Sequence, residues 1–223
     1  MAEVVDVRAR VLAANEEAAS QLRKGFSESG ALVLNLISSP GSGKTTLLEA
    51  TVRALAGRLA LAAIEGDIAT ERDADRLRAL GIPAVQILTG GACHLDARQV
   101  RRVIDEERFP DFDILFIENV GNLICPTSYD LGEDFKAALL SVAEGDDKPF
   151  KYPAIFARAQ VTVVTKTDLL PHVSFDLAAV RGQLATLNPT GTVVLTSARN
   201  GDGISEWCTL LEQRLAAKRK ARA

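Results

Sequence analysis

The sequence has few cysteines. Cys93, Cys125 and Cys208 are its three thiols in 223 residues, too few and too scattered for a disulfide framework, so each is expected as a thiol or a metal ligand in a reducing compartment. Long hydrophobic runs are missing as well. The apolar stretches are strand-length, and the opening MAEVVDVRARVLAANEEAA carries acids and no cleavable apolar core. Neither a membrane-spanning helix nor a secretory leader is expected, and the chain is placed in the cytoplasm. No charge of one sign dominates: 25% of residues are charged and the net charge is −3, which offers no basic field for nucleic acid. A Pro/Gly/Ser-rich linker, an internal repeat and a His-rich or Cys-rich tract are also lacking. These absences favour one α/β domain over 1–223, with 1–29 as a helix packed on it and 213–223 as a basic C-terminal tail.

What is present begins with LVLNLISSPGSGKTT, Leu32 to Thr46: an apolar run, a glycine-bearing turn, then a helical pattern. This is a P-loop. Phosphate oxygens need donors that approach without intervening side chains. The backbone of Gly41, Ser42 and Gly43 can curl around them, and the helix opening at Lys44, Thr45 and Thr46 points N–H groups inward. Lys44 would reach the β- and γ-phosphates, and the Thr45 hydroxyl would bind Mg²⁺. Ser38 stands where the usual pattern has its first glycine.

Along the chain, Val4, Val7, Val11, Leu22 and Phe26 mark an amphipathic helix over 3–28. Strand 31–37, the P-loop, helix 46–56 and LALAAIEGD, a buried strand ending in Asp67, follow. Next come a helix stopped by Gly81 and Pro83, the strand PAVQILT, a charged helix from Asp96 to about Arg108, and the strand DILFIEN with Glu118. FKAALLSVAEG reads as a strand, YPAIFARA as a short helix and QVTVVTKTD as a strand ending in Asp168. Helix 175–187, strand TVVLTS and helix 203–219 complete a mostly parallel sheet of about seven strands. In such a sheet ligands bind beyond the carboxyl ends of the strands. The P-loop, Asp67, Cys93-His94, Glu118, Cys125 and the Lys166-Asp168 pair all follow strands there.

Thr165-Lys166-Thr167-Asp168 stands where P-loop GTPases carry Asn-Lys-x-Asp. A carboxylate at Asp168 accepts from guanine N1–H and the 2-amino group and repels the adenine N1 lone pair, so the base preference is guanine. Lys166 would lay its stem over the base, and Ser197-Ala198 resembles the loop that supports it. Asp67 and Glu118 are the carboxylates best placed for Mg²⁺, directly or through water, beside Thr45. Lys44, Thr45, Asp67 and Glu118 form the expected catalytic set. Glu118-Asn119-Val120-Gly121 resembles Asp-x-x-Gly, whose glycine bonds the γ-phosphate. No residue stands out as the water activator. Cys93, His94 and Cys125 suit zinc, nickel or copper if the fold brings them together, against the alternative of buried idle thiols. Cys208 beside Trp207 reads as core, and His172 after Pro171 as a surface turn.

Taken together, SSPGSGKTTLLE, EGDIATERDADR, GGACHLDA, ENVGNLICP and TKTDLLP resemble the GTPases that incorporate nickel into [NiFe] hydrogenase during its maturation, over roughly residues 1–212. The resemblance implies a SIMIBI-class P-loop fold, GTP hydrolysis with Mg²⁺, GTP-promoted homodimerisation, and a Ni²⁺ or Zn²⁺ site at Cys93, His94 and Cys125 near the dimer interface. It also implies a second maturation metallochaperone and the hydrogenase large subunit as partners. The N-terminal Cys-rich site or His-rich stretch of some relatives is missing, so tight nickel storage is not expected. Lys148 and Lys151 are candidates for contact with a second protomer. The rivals are a urease-type nickel-insertion GTPase, which carries Cys-Pro-His, and a P-loop small-molecule kinase.

Overall fold

The computed structural model describes residues 7–67, 72–107 and 109–222. Seven strands, β1 (Leu32–Ser38), β2 (Leu61–Asp67), β3 (Ala84–Leu88), β4 (Ile114–Glu118), β5 (Phe135–Ser141), β6 (Val161–Thr165) and β7 (Thr192–Leu195), form one sheet in the order β3-β2-β4-β1-β5-β6-β7. Every pairing is parallel. Parallel neighbours need crossovers, and α2 (Lys44–Leu55), α3 (Arg72–Arg78), α4 (Ala97–Glu107), α5 (Lys148–Lys151), α6 (Pro153–Arg158) and α7 (Leu177–Leu187) lie on them, while α1 (Val7–Ser29) precedes β1 and α8 (Ile204–Arg222) follows β7. None of the described helices is long and apolar enough to cross a membrane.

Helices cover both faces of the sheet, so the strands are apolar on both and read as near-continuous hydrophobic runs. The side-chain period of two sorts them. Leu32, Leu34 and Leu36 of β1, with Leu61, Ala63, Ile114 and Phe116, pack against α2 and α8, where Trp207 is fully buried. Its indole N–H donates to Thr51 Oγ1 at 3.0 Å. The intervening Val33, Ala62, Ile64, Leu115 and Ile117 pack on the other face with Leu22 and Phe26 of α1 and Val100 of α4. Ile37, Ala138 and Leu140 continue that face under α6 and α7.

Several expected boundaries move for identifiable reasons. The strand from Phe135 stops at Ser141, because Ser141 Oγ accepts the Ala143 N–H and turns the chain into a 3₁₀ turn over Val142–Glu144. The strand expected to end in Asp168 ends at Thr165, and Asp168 lies in a 3₁₀ turn, Thr167–His172. The expected basic tail from 213 onward is instead the last turns of α8, held down by Lys218 Nζ on Asp134 Oδ2 at 2.7 Å and by Arg219 on Asp113. In α1, Val11 is 40% exposed; Ala18, Ala19, Leu22 and Phe26 make the buried stripe. Val4 and the side chain of Val7 lie outside the described residues, as do 68–71 and Arg108.

Candidate nucleotide and metal sites

β1 sits at the middle of the sheet, and its carboxyl end delivers the P-loop to the centre of the rim. Gly41 and Gly43 have φ of 77° and 93°, in the left-handed region where glycine carries no Cβ penalty. Gly43 has no side chain to cap α2, so the first-turn N–H groups are left for a ligand. A cavity of about 440 Å³ opens above them, walled by Gly41, Lys44 and Thr45, by Asp67 from β2, and by Glu118 to Gly121 after β4. Asp73 and Arg76 of α3 complete its rim. An adjoining cavity of about 300 Å³ shares Gly43, Thr46 and Lys166 with it and continues over Leu47, Asp168 and Ala198. The first is sized and charged for phosphates; the second is a more apolar slot that suits a flat base.

Lys44 is 7% exposed, donates to Ser38 Oγ at 2.9 Å and stands 3.9 Å from Glu118 Oε1. Ser38, fully buried, is also bonded to Ser42, so the residue replacing the first P-loop glycine anchors the lysine and the turn. Thr45 Oγ1 donates to the same Glu118 oxygen at 3.1 Å. A second acid lies beside this group. Glu65 on β2 pairs in register with Glu118 on β4 and is 1% exposed. Burial first, and the Glu118 charge second, hold the Glu65 carboxyl well above the usual range. Burial also raises Glu118, but Lys44, Glu65 and Thr45 each pull it back. Burial and the neighbouring Glu118 charge thus favour the protonated form of Glu65, the more strongly raised of the two acids. Among the described residues, Glu118 Oε2 and Glu65 Oε1 have no hydrogen-bond partner. A hydroxyl, a carboxylate with one orphaned oxygen, and Asp67 on the same wall make a donor set that fits Mg²⁺.

At the base slot, Asp168 Oδ1 accepts from Ser197 Oγ at 2.6 Å, and Arg199 lies 3.9 Å from its other oxygen. Ser197 thus aims the carboxylate, while Ala198 lines the slot. Lys166 has φ of 59°, a left-handed conformation for a side chain with a Cβ, costing about 1–3 kcal/mol. Its ammonium donates to Gly41 O at 2.7 Å, and Thr165 Oγ1 donates to Ser42 O at 2.6 Å. Thr165 lacks an amide but ties β6 to the P-loop through this hydroxyl.

The thiols converge. The ligand atoms of Cys93, His94 and Cys125 all lie within 4.8 Å of one another, and Cys93 Sγ is 3.5 Å from His94 Nδ1. Tetrahedral zinc with ligands near 2.0–2.3 Å needs separations of about 3.5–3.8 Å, and three protein ligands leave one position open. Gly90 and Gly91, at φ 61° and 103°, turn the chain after β3. Asn122 Oδ1 accepts the N–H groups of Ile124 and Cys125 at 2.7 and 3.3 Å and sets the second cysteine. The His94 ring packs on Tyr129 at 3.9 Å between centroids, with the two planes tilted by 38°. Burial lowers the His94 pKa against the pull of Asp96, favouring the neutral, ligating imidazole. The hydrogen bond with Cys125, then burial, raises the Cys93 thiol, so a metal bound there would have to displace its proton.

Cys208 is 2% exposed in the core, with its thiol pushed up to about 11 by burial. His172 is exposed at the end of its turn. Lys151 pairs with Asp147 and Lys148 lies 5.9 Å from the Tyr152 ring centroid. Sequence reading missed Glu65, Asp73 and Arg76. A lone acid inside the apolar run LALAAIEGD was the available signal for the first. The other two stand three residues apart on α3, a spacing that only acquires meaning once α3 is seen beside α2.

Fold and rim together define a P-loop nucleotide-binding α/β protein with a thiol and imidazole cluster on the same sheet edge. Residues 32–195 match the model of the CobW/HypB/UreG nucleotide-binding domain. The chain is 48% identical to the hydrogenase maturation factor HypB of Azotobacter chroococcum, across 98% of this chain and 72% of that one. It is 40% identical to the hydrogenase/urease maturation factor HypB of Helicobacter hepaticus, across 95% and 88%. The crystal structure of HypB from Helicobacter pylori in complex with nickel superposes with a TM-score of 0.85 at 38% identity, across 93% and 96% of the two chains. The chain belongs to the HypB family of hydrogenase maturation factors, within the CobW/HypB/UreG group.

Proposed function

We propose that this chain is a GTP-hydrolysing metallochaperone that carries nickel, or zinc in its place, on Cys93, His94 and Cys125 and promotes nickel insertion into [NiFe] hydrogenase. The observation that supports it most is the convergence of those three ligands within 4.8 Å beside the loop that walls the nucleotide cavity with Glu118 to Gly121. Cys125 lies four residues past Gly121. A metal held there is exposed to whatever the nucleotide does to that loop.

In this reading the chain acts as one GTPase domain over 1–223. Thr45, Glu118 and Asp67 would hold Mg²⁺, which neutralises phosphate charge when bound. Lys44 gives up Ser38 for the β- and γ-phosphate oxygens, and backbone groups of Gly41 to Thr46 cradle the rest. The Gly121 N–H takes the γ-phosphate. Asp168, aimed by Ser197, selects guanine; Lys166 and Ala198 enclose the base. Arg76, held by Glu49 and Asp73 at 3.0 Å each, is the cation on the cavity rim closest to a role in charge stabilisation. Hydrolysis then alters the Cys93–His94 and Cys125 loops and, with them, metal affinity, by about 5 to 150-fold if the coupling has the ordinary strength. Function as a homodimer, with Lys148 and Lys151 at the contact, and exchange with another maturation metallochaperone and the hydrogenase large subunit complete the proposal.

The test is Ni²⁺ and Zn²⁺ titration of the wild type, Cys93→Ser and Cys125→Ser, each with GDP or a nonhydrolysable GTP analogue. Each serine variant should lose the stoichiometric site. Unchanged stoichiometry in both would remove the metal assignment. Turnover of GTP without any acceptor separates this reading from a small-molecule kinase, which would require one and prefer ATP.

A further inference from the structure

Leu95, the residue after His94, joins the two sites. Its N–H donates to Asn119 Oδ1 at 3.0 Å. Its side chain lies so close to Gly66 that a Cβ there would stand 2.8 Å from Leu95 Cδ1 and Cγ. Leu95 and Asn119 are both fully buried. Their position follows from the pleat, in which successive residues of a strand face opposite sides. Gly66, Asp67, Glu118 and Asn119 all line the phosphate cavity, and Gly66 and Asn119 also meet Leu95 on the other face of the sheet. Each strand end therefore has one residue that both lines the phosphate cavity and meets the residue that follows His94.

Asn119 is fixed on all its other edges. Its backbone N–H donates to Leu36 O at 3.0 Å, its Oδ1 also accepts the Val120 N–H at 3.0 Å, and its Nδ2 donates to Asn35 Oδ1 at 3.2 Å. Asn35 Nδ2 in turn donates to Glu133 Oε1 at 3.3 Å. Two residues on, Gly121 touches the P-loop, where a Cβ would stand 2.9 Å from Pro40 Cγ. Any shift of Val120-Gly121 against the P-loop has a short, fully packed route to the Leu95 N–H. Packed interiors move between discrete arrangements and do not absorb such shifts gradually.

We propose that Asn119 and Leu95 are the positioning residues that make the Cys93–His94 loop respond to the nucleotide: Asn119 by holding the Leu95 N–H, Leu95 by its side chain on Gly66. This rests on the nucleotide-coupled metal binding proposed above. Neither residue touches the metal; they set where His94 and Cys93 stand relative to Cys125.

The experiment titrates Ni²⁺ into the full chain by competition with a chromophoric chelator, with GDP and with a nonhydrolysable GTP analogue. It is run on the wild type, Asn119→Ala and Leu95→Val. In the wild type the two affinities should differ by about 5 to 150-fold; in Asn119→Ala they should fall within about twofold of each other, with one metal still bound. The effect of Ni²⁺ on affinity for the GTP analogue should collapse by the same factor. A residue with a merely structural role would weaken both states alike and leave the ratio intact, and that result overturns the proposal. If Asn119→Ala does not fold, Leu95→Val, which keeps the N–H bond and shortens the side chain on Gly66, carries the same criterion. A wild type with equal affinities overturns the coupled reading and this one with it; a ratio present in the wild type and unchanged in the variants overturns this one alone.

Discussion

The buried acids beside the P-loop lysine make a quantitative test of the charge arrangement. Glu118 is 3.9 Å from Lys44 Nζ, both side chains are 7% exposed, and Glu65 is the neighbouring acid across the β2–β4 ladder. Removing one partner of a buried ion pair ordinarily costs about 3–5 kcal/mol, because the other charge is left uncompensated. Glu118→Gln should cost less here. Once the Glu118 charge is gone, the second cause of the raised Glu65 pKa disappears while burial, the first, remains, so Glu65 moves toward its ionised form and offsets part of the charge lost beside Lys44. Glu65→Gln alone keeps a donor toward Glu118 and should cost about 1 kcal/mol or less, one neutral hydrogen bond being exchanged for another. The double variant leaves Lys44 with neither charge and should recover the full penalty, giving a coupling of about 2 kcal/mol in the cycle. Urea unfolding of the nucleotide-free, metal-free protein measures it. Additivity within about 0.5 kcal/mol would refute the shared-proton arrangement. The pH dependence checks the same point. Because Glu65 is raised in the folded state, the stability it contributes is complete below its unfolded pKa and is lost as pH rises through the folded value. The advantage of wild type over Glu65→Gln should therefore shrink with rising pH.

Three further outcomes follow from the same geometry. Lys166 at φ 59° makes Lys166→Gly more stable than Lys166→Ala by about 1 kcal/mol in urea unfolding, since glycine alone escapes the left-handed penalty; equal or reversed stability would contradict the backbone assignment. Asp168→Asn should move base preference from guanine toward xanthine in competition binding, because the carboxylate that accepts two guanine donors becomes a mixed donor and acceptor; a wild type that binds ATP and GTP equally would refute the slot. The Cys93 thiol is raised, so metal capture must expel its proton and this residue alone adds a tenfold affinity loss per pH unit lowered. Cys93→Ser should reduce the slope of log affinity against pH by about one, and an unchanged slope would take Cys93 out of the ligand set.

Local patterns carried much of this. Gly41, Gly43, Lys44 and Thr45 announce a phosphate cradle because its geometry is local: a strand, a tight turn and a helix start within fifteen residues. Continuous apolar runs announced parallel strands, since burial on both faces removes the alternation. From parallel strands alone it followed that Asp67, Glu118, Cys93 and Cys125 share one rim. Boundaries were less legible where side chains intervene, as at Ser141, whose hydroxyl caps a turn, and at Lys166, whose left-handed backbone follows the strand end while its ammonium reaches Gly41 O.

The sequence by itself determined the layered class, the P-loop and the acids and thiols at the strand ends, because each is written in residues close along the chain. Tertiary structure decided the strand order, which inserts β4 between β2 and β1. That insertion sets Glu65 beside Glu118 and brings Asn119 within reach of Leu95, contacts between residues 53 and 24 positions apart. It also decided that Cys93, His94 and Cys125 close to within 4.8 Å. The physical reason is that these contacts depend on which strands become neighbours, and neighbour choice is made by packing both faces of the sheet at once.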